Sequence, residues 1–254
     1  MLLGEMCSPD LRDLDLNDLV VLAPLGSFEQ HGPHLPLTTD TDIAAAIAER
    51  VERARPDRVL RLPALWAGHS THHLAFPGTV SVGQMHYIAL ITDLCCSLAT
   101  MGARRVFLLN GHGGNDVPVR AALREVKSSS GADGVHFVYA SYWMLAGASI
   151  RALRESEHGG MNHACELETS LMLHLHPERV RMERAAPDGP KYASSYRRGD
   201  LIQGKPIFTV SEFHEISQTG VVGRPDLASA EKGARFMEAI VLDITAFVDD
   251  FLAW

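Results

Sequence analysis

Three polar stretches of this chain hold the residues able to do chemistry: EQHGPHLPLTTDTD (29–42), NGHGGND (110–116) and NHACELETS (162–170). Imidazoles and carboxylates gathered in this way suit zinc, manganese or iron(II); a calcium site would not need the histidines. Glu29 and His31 stand two apart, so in an extended segment both point to one side. Pro33 and Pro36 restrict the loop between them and Asp40. Asp40 could bridge two ions with its two oxygens, and His112 could join the same group. That arrangement suits hydrolysis by a metal-bound hydroxide, with the second ion holding the substrate oxygen. If 163–170 is helical, His163 and Glu166 share a face. Glu166 is then expected to complete the second ion's shell, and His163 to carry a proton to the leaving nitrogen. Glu168 is expected to point elsewhere, orienting another ligand or capping a neighbouring element.

Other readings compete at each stretch. EQHGPH could be a solvated loop with a capping aspartate. His34 reads as a structural residue, His69, His72 and His73 as the lining of a wet pocket, and His174 and His176 as surface or packing residues. GHGGN could cradle phosphate, but it is neither GxGxxG nor a Walker loop. The metal reading accounts for His112 as well as the glycines, with Asn110 or Asn115 orienting the loop. Ser27, Ser70 and Ser170 occur near histidines without a GxSxG elbow. A Cys165–His163 pair would leave the first stretch unused.

Strands and helices must bring these stretches together. Val20 to Leu25 is continuously apolar, 104–110 holds the apolar run Val106 to Leu109, and each leads into one of the polar stretches, as strands of a sheet covered on both faces do. Further strands are expected at 59–65, 134–140 and, late in the chain, at IFTVSEF (207–213). Helices are expected from Asp42, capped by Asp40 or Thr41, then at 85–101, 117–126, from Met144, and from about Leu227 to the end. This order predicts a three-layer α/β/α sandwich with a mostly parallel central sheet, one domain spanning 1–254. The carboxyl ends of neighbouring strands converge on one crevice, where Glu29, His31, Asp40 and His112 could meet.

The net charge of −8, with no extended Lys/Arg stripe, gives no support for nucleic-acid binding. Four cysteines without a CxxC pair argue against a thiolate zinc site or a disulfide framework. No apolar run reaches membrane-spanning length, no secretion signal is evident, and a cytoplasmic location is the expectation.

GSFEQHGPHLPLTTDTD, FPGTVSVG, NGHGGN and HACELETSLMLHLHPERV occur in the order seen in the creatininase (creatinine amidohydrolase) family, and the chain resembles that family over nearly its whole length. The resemblance implies the three-layer fold, a binuclear metal centre at the carboxyl edge of the sheet, and a homo-oligomer, often a hexamer. Glu29 resembles the ligand to one metal, His31 the ligand to the other, and Asp40 the bridging carboxylate. His112 resembles the histidine beside Glu29's ion, and His163 the proton-transfer histidine of the creatinine-hydrolysing member. That member carries a glutamate ligand where this chain has Gly114, for which Glu166 is the expected replacement. Trp143 is a candidate pocket residue, Trp66 a packing residue, and His214 and Glu215 are candidate pocket residues or a structural pair. Wider relatives resemble deformylases, peptidases of a redox-cofactor precursor and hydrolases of inositol-derived ketones. The expectation is a hydrolase with two divalent ions, zinc with manganese or iron as alternatives, acting on a small cyclic amide or formamide. A peptidase or other hydrolase of the same chemistry, and a non-enzymatic metal-binding protein, are the alternatives.

Overall fold

The structure, a computed structural model, describes residues 1–128, 133–192 and 194–254. Strands β1 (Val20–Leu25), β2 (Val59–Arg61), β3 (Arg105–Asn110) and β4 (His136–Ser141) form a parallel sheet in the order β2-β1-β3-β4. Alternate residues of β1 and β3 enter different layers. Val20, Leu22, Phe107 and Leu109 face one side, and Val21, Ala23, Leu25, Val106 and Leu108 the other. Both faces are covered, so the strands read as unbroken apolar runs.

On the first face lie α1 (Thr39–Ala54), α4 (Tyr142–Leu145), α5 (Gly147–Leu153), α6 (Glu166–Leu175) and α8 (Ala230–Phe251). On the second lie α2 (Gln84–Met101) and α3 (Asp116–Ser128). The seam of α1 is Ile43, Ile47 and Val51, all buried. β-Branched residues cost a helix up to about 0.7 kcal/mol each in propensity, whereas burying each returns about 1.5–3 kcal/mol, so burial decides. The Ser229 side chain caps α8 by accepting from Lys232 N. α2 ends at Gly102, whose φ of 105° suits a residue without a Cβ. A two-stranded antiparallel sheet of β5 (Met161–His163) and β6 (Val222–Gly223), and the one-turn α7 (Phe213–Ile216), complete the frame around the strand ends. No helix among the described residues is long and apolar enough to cross a membrane.

Four expectations are corrected. α1 starts at Thr39 rather than Asp42, so Asp40 and Thr41 lie inside its first turn and cap nothing; Thr41 Oγ1 donates to Ser27 O instead, at 2.8 Å. β2 stops at Arg61, two residues before Pro63, and only a single bridge joins Leu65 to Leu25. IFTVSEF forms no strand. Phe208 and Val210 are exposed, no strand pairs with the segment among the described residues, and Phe213 opens α7. His163 ends β5 and is not helical, because Ala164 turns the chain at φ 48° before Cys165 caps α6.

The 217–223 segment, which leads into β6, is anchored by one carboxylate. Asp188 Oδ2 accepts from Ser217 Oγ, Gln218 N, Thr219 N and Thr219 Oγ1 at 2.8–2.9 Å, and Oδ1 accepts from Gly189 N at 2.7 Å. Slight burial pushes this carboxyl up, but bonds from Thr219, Gly189 and Ser217 outweigh that and hold it at about 2. Its folded value lies below the unfolded one of roughly 3.9. Its stabilisation is therefore fully present above that value and is lost as pH falls through about 2. Asp188→Asn should lower the unfolding midpoint at pH 7 by roughly 2–6 °C and flatten the acid limb of the stability curve. An unchanged midpoint in scanning calorimetry would remove the anchor role.

Candidate metal centre

Five segments deliver side chains to the carboxyl edge of the sheet. Past β1 the chain passes Gly26 and runs out through Glu29 and His31, a loop closed by Glu29 N donating to Leu37 O at 3.0 Å. It returns at α1, whose first turn presents Asp40. The end of β3 delivers His112, where Asn110 Nδ2 donates to His112 O (2.7 Å) and His112 N donates to Asn110 Oδ1 (3.2 Å). β5 supplies His163 and the first turn of α6 supplies Glu168. All six side chains are buried.

Each of three histidines has one ring nitrogen against a backbone carbonyl. His31 Nδ1 lies 3.2 Å from Glu29 O, His112 Nε2 3.0 Å from His69 O, and His163 Nε2 2.8 Å from Gln30 O. A carbonyl only accepts, so these nitrogens carry the protons of the neutral rings and the opposite nitrogens present lone pairs inward. His31 Nε2 faces Asp40 Oδ1 at 3.0 Å and Glu168 Oε1 at 3.9 Å. His112 Nδ1 faces Asp40 Oδ2 at 3.0 Å and Glu29 Oε2 at 3.2 Å. Asp40 thus turns one oxygen to each histidine, and Ser27 Oγ donates to its Oδ2 at 2.6 Å.

In the neutral rings these are acceptors aimed at acceptors, an arrangement that a proton or a metal ion between them relieves. Although Glu29 Oε2 is close to His112, it makes no hydrogen bond. Donor atoms of Glu29, Asp40 and His112 lie within 4.8 Å of one another, as do those of His31, His163 and Glu168. Two carboxylates at 4.8 Å repel by roughly 3–4 kcal/mol at an effective dielectric of about 20. Both groups therefore fit a divalent cation, and the pull of the carboxylates on the neighbouring histidines points to the same affinity for positive charge. Burial pulls His31 down, but Asp40 and then Glu168 more than reverse it, to about 9. Burial likewise pulls His112 down, and Glu29 and Asp40 drive it well above its ordinary value. Burial pushes Asp40 up, yet His31 and His112 hold it well below the carboxylate range. Burial raises Glu168 to about 7 despite His31, and burial with His31 nearby keeps His163 neutral.

A third group, Glu29, His73 and His163, also lies within ligand distance. Gln30 explains it otherwise. Its Oε1 accepts from Gly32 N (2.8 Å) and its Nε2 donates to Gly220 O (3.2 Å), which fixes the amide and aims its other hydrogen at His73 Nδ1, 2.8 Å away. His73 must then carry its proton on Nε2, 3.3 Å from Glu29 Oε1. His73 therefore orients Glu29 as a donor.

The sequence expectations fare unevenly here. Glu29, His31, Asp40, His112 and His163 are brought together. Glu166 is not: it accepts from Lys232 Nζ at 2.8 Å, Glu155 N at 2.9 Å and Ser156 N at 2.8 Å, on the far side of the α6 turn. Burial pushes Glu166 up, but Lys232 and Ser156 hold it below its ordinary value. Glu168 stands at the cluster instead. Gly114 admits no side chain, since a Cβ there would lie 2.2 Å from His69 O and 2.4 Å from His112 Nε2. Phosphate is the wrong charge for a loop packed against Glu29 and Asp40. Cys165 is buried with its thiol pushed well up by burial, then by Glu168, and is no nucleophile. Trp143 lines the pocket, whereas Trp66 packs edge-on against Phe28. His214 and Glu215 are exposed, and it is their neighbour Phe213 that enters, stacked on His73 at 3.9 Å. Sequence reasoning read His72 and His73 as pocket lining, which they are, but missed the hold of His73 on Glu29, and it missed Gln30 and Phe213 altogether.

The pocket has a volume of about 220 Å³. Asn162, Ile216 and Val222 line both it and a second, outer cavity of about 550 Å³.

Residues 4–248 match the model of the family described as creatininase, creatinine amidohydrolase. The chain is 34% identical over 253 residues to a mycofactocin precursor peptide peptidase of Mycobacterium ulcerans (strain Agy99), covering 95% of this chain and 89% of that protein. A solved structure described as creatininase Mn superposes with a TM-score of 0.82 at 28% identity, over 98% of this chain and 97% of that one. A creatininase variant of Zn-Zn type superposes with a TM-score of 0.81 at 28% identity, over 98% and 97%.

The contrast between the two glutamates of α6 is testable by elemental analysis. Glu168→Gln should lower bound metal from near two ions per chain toward one while leaving the fold intact. Glu166→Gln should keep near two ions but destabilise the protein by about 3–5 kcal/mol, because Lys232 loses its buried partner. The opposite pattern would restore Glu166 as the ligand.

Proposed function

The chain belongs to the creatininase family and is a metal-dependent hydrolase, and from that premise we propose that it is a peptidase acting on a short peptide. The similarity to a mycofactocin precursor peptide peptidase supports this. The observation that carries it is that Asn162, Ile216 and Val222 line both the inner pocket and the outer cavity, so a chain passing over these residues would have room on one side of the reacting carbonyl.

Glu29, Asp40 and His112 would hold one divalent ion, and His31 and Glu168, with the Asp40 oxygen 3.0 Å from His31, the other; His163, also within ligand distance of His31 and Glu168, is read here as the base. The imidazole–carboxylate set suits zinc or manganese. When bound, the two ions supply an acidified water and an electrophilic pull on the carbonyl oxygen. His163 has its Nε2 proton committed to Gln30 O, so its Nδ1 is the free base. In this reading Nδ1 takes a proton from the attacking water and returns it to the amine nitrogen as the C–N bond breaks. His73 and Gln30 hold Glu29 in place, and Trp143 and Phe213 wall the reacting centre from bulk water.

A second reading keeps the small cyclic amide or formamide, favoured by the small inner pocket. Protein loaded with zinc or manganese should cleave members of a short-peptide panel and leave creatinine, other lactams and formamides unchanged. Turnover confined to the cyclic amides or formamides would transfer the assignment to the second reading. Absence of ordered metal and of any turnover would reduce the chain to a binding protein. His163→Ala should retain near two ions and lose roughly 10²–10⁴-fold in kcat; loss of one ion would make His163 a ligand. The assembly expected from the resemblance is a homo-oligomer, a hexamer in particular. Phe208 (83% exposed) and Val210 (79%) offer it apolar surface, and light scattering will read its mass.

A further inference from the structure

The outer cavity is lined by more cations than anions although the chain as a whole is acidic. The chain carries a net charge of −8, yet Lys191, Arg198 and Lys205 line this cavity against a single carboxylate, Glu157. Glu157 already has Arg224 Nη1 at 3.6 Å. The remaining titratable group with a nearby acid is His158, whose Nδ1 is 3.6 Å from Asp200, and Asp200 is itself bound by Arg154 at 2.7 Å. Formal charge on the wall is therefore positive, with no internal carboxylate left to quench it. Among the described residues Lys191 has no hydrogen bond or ion pair, and Arg198 donates only to Tyr192 O at 3.3 Å. Tyr192, also on the wall, is held under the Arg197 guanidinium at 4.1 Å. Lys205 Nζ donates to the Thr209 hydroxyl, which leaves two of its hydrogens free.

We propose that this cavity is a carboxylate subsite, taking the C-terminal carboxylate or an acidic side chain of a peptide whose scissile amide lies in the inner pocket. This rests on the peptidase reading, which places an extended substrate across Asn162, Ile216 and Val222. The volume of about 550 Å³ lies within the range of ligand sites. The three cations come from different points of the 191–205 segment and line one cavity, so an anion there has several donors available. They are exposed, so each contact is modest and screened by salt. Together they act on KM far more than on kcat, because they lie away from the reacting atoms.

The test uses peptides synthesised in pairs, free acid and C-terminal amide, with a further set of amides carrying Asp or Glu near the C-terminus. They are assayed on the zinc- or manganese-loaded protein and on its K191E/R198E/K205E variant. For wild type the KM of the acid should be about tenfold below that of its amide, and the ratio should fall to one or less in the variant. Recovery of the low KM by the acidic amides assigns the side chain as the source, and no recovery assigns the terminus. Equal KM values in wild type, or a preference that survives charge reversal, overturn the subsite. If no peptide is cleaved in any form, the peptidase reading has failed on its own. Binding of an acetylated dipeptide acid against its amide, followed by NMR on the metal-loaded protein and the variant, then judges the cavity separately. Preference for the acid, lost in the variant, upholds the subsite; equal binding overturns it.

Discussion

The site depends on three backbone carbonyls. Glu29 O, His69 O and Gln30 O each engage one nitrogen of a histidine and thereby decide where its proton sits. With those protons committed outward, His31, His112 and His163 turn lone pairs toward a set of buried carboxylates, and the interior becomes a concentration of acceptors that draws in positive charge, as a proton or as a metal ion. Everything else in the frame serves that placement. β1 and β3 lead the rings of His31 and His112 to the same edge, the loop after β2 brings His69 O to meet them, α1 swings Asp40 back between two histidines, and the small β5-β6 sheet carries His163.

How far this was legible in the sequence depended on which physical signal each residue left. β1 and β3 were readable because burial on both faces forces an unbroken apolar run, and the polar stretches that follow them announce strand ends. Glu29, His31, Asp40 and His112 were readable from residue type and order. The choice between Glu166 and Glu168 was not. It rested on helical phase counted from His163, and Ala164 resets that phase by adopting a left-handed conformation that leaves no mark in an alanine. The role of His73 follows only from the orientation of the Gln30 amide, which is a tertiary fact. IFTVSEF has strand-like composition, but a strand needs a partner, and none is supplied.

Gly114 and Glu168 belong to one structural statement. The loop after β3 packs so tightly under His69 that the position two residues beyond His112 has no room for a side chain. Any carboxylate on that side of the cluster must arrive from another element. α6 supplies it in its first turn, while Glu166, on the same turn, is spent on Lys232 of α8 and on the amides of Glu155 and Ser156. One turn of helix thus holds a structural carboxylate and a site carboxylate, separated by direction alone.

The donors come from segments as far apart as residues 29 and 168, and they converge only after the sheet, α1 and α6 have assembled. An unfolded chain therefore has no comparable affinity for a divalent ion, and loading acts on folding by mass action. Free metal at a hundred times its dissociation constant adds about 2.7 kcal/mol for each site. That is a large share of the roughly 5–15 kcal/mol typical of a folded protein. Metal supply thereby sets part of the stability of the fold as well as the activity, and starvation would erode both.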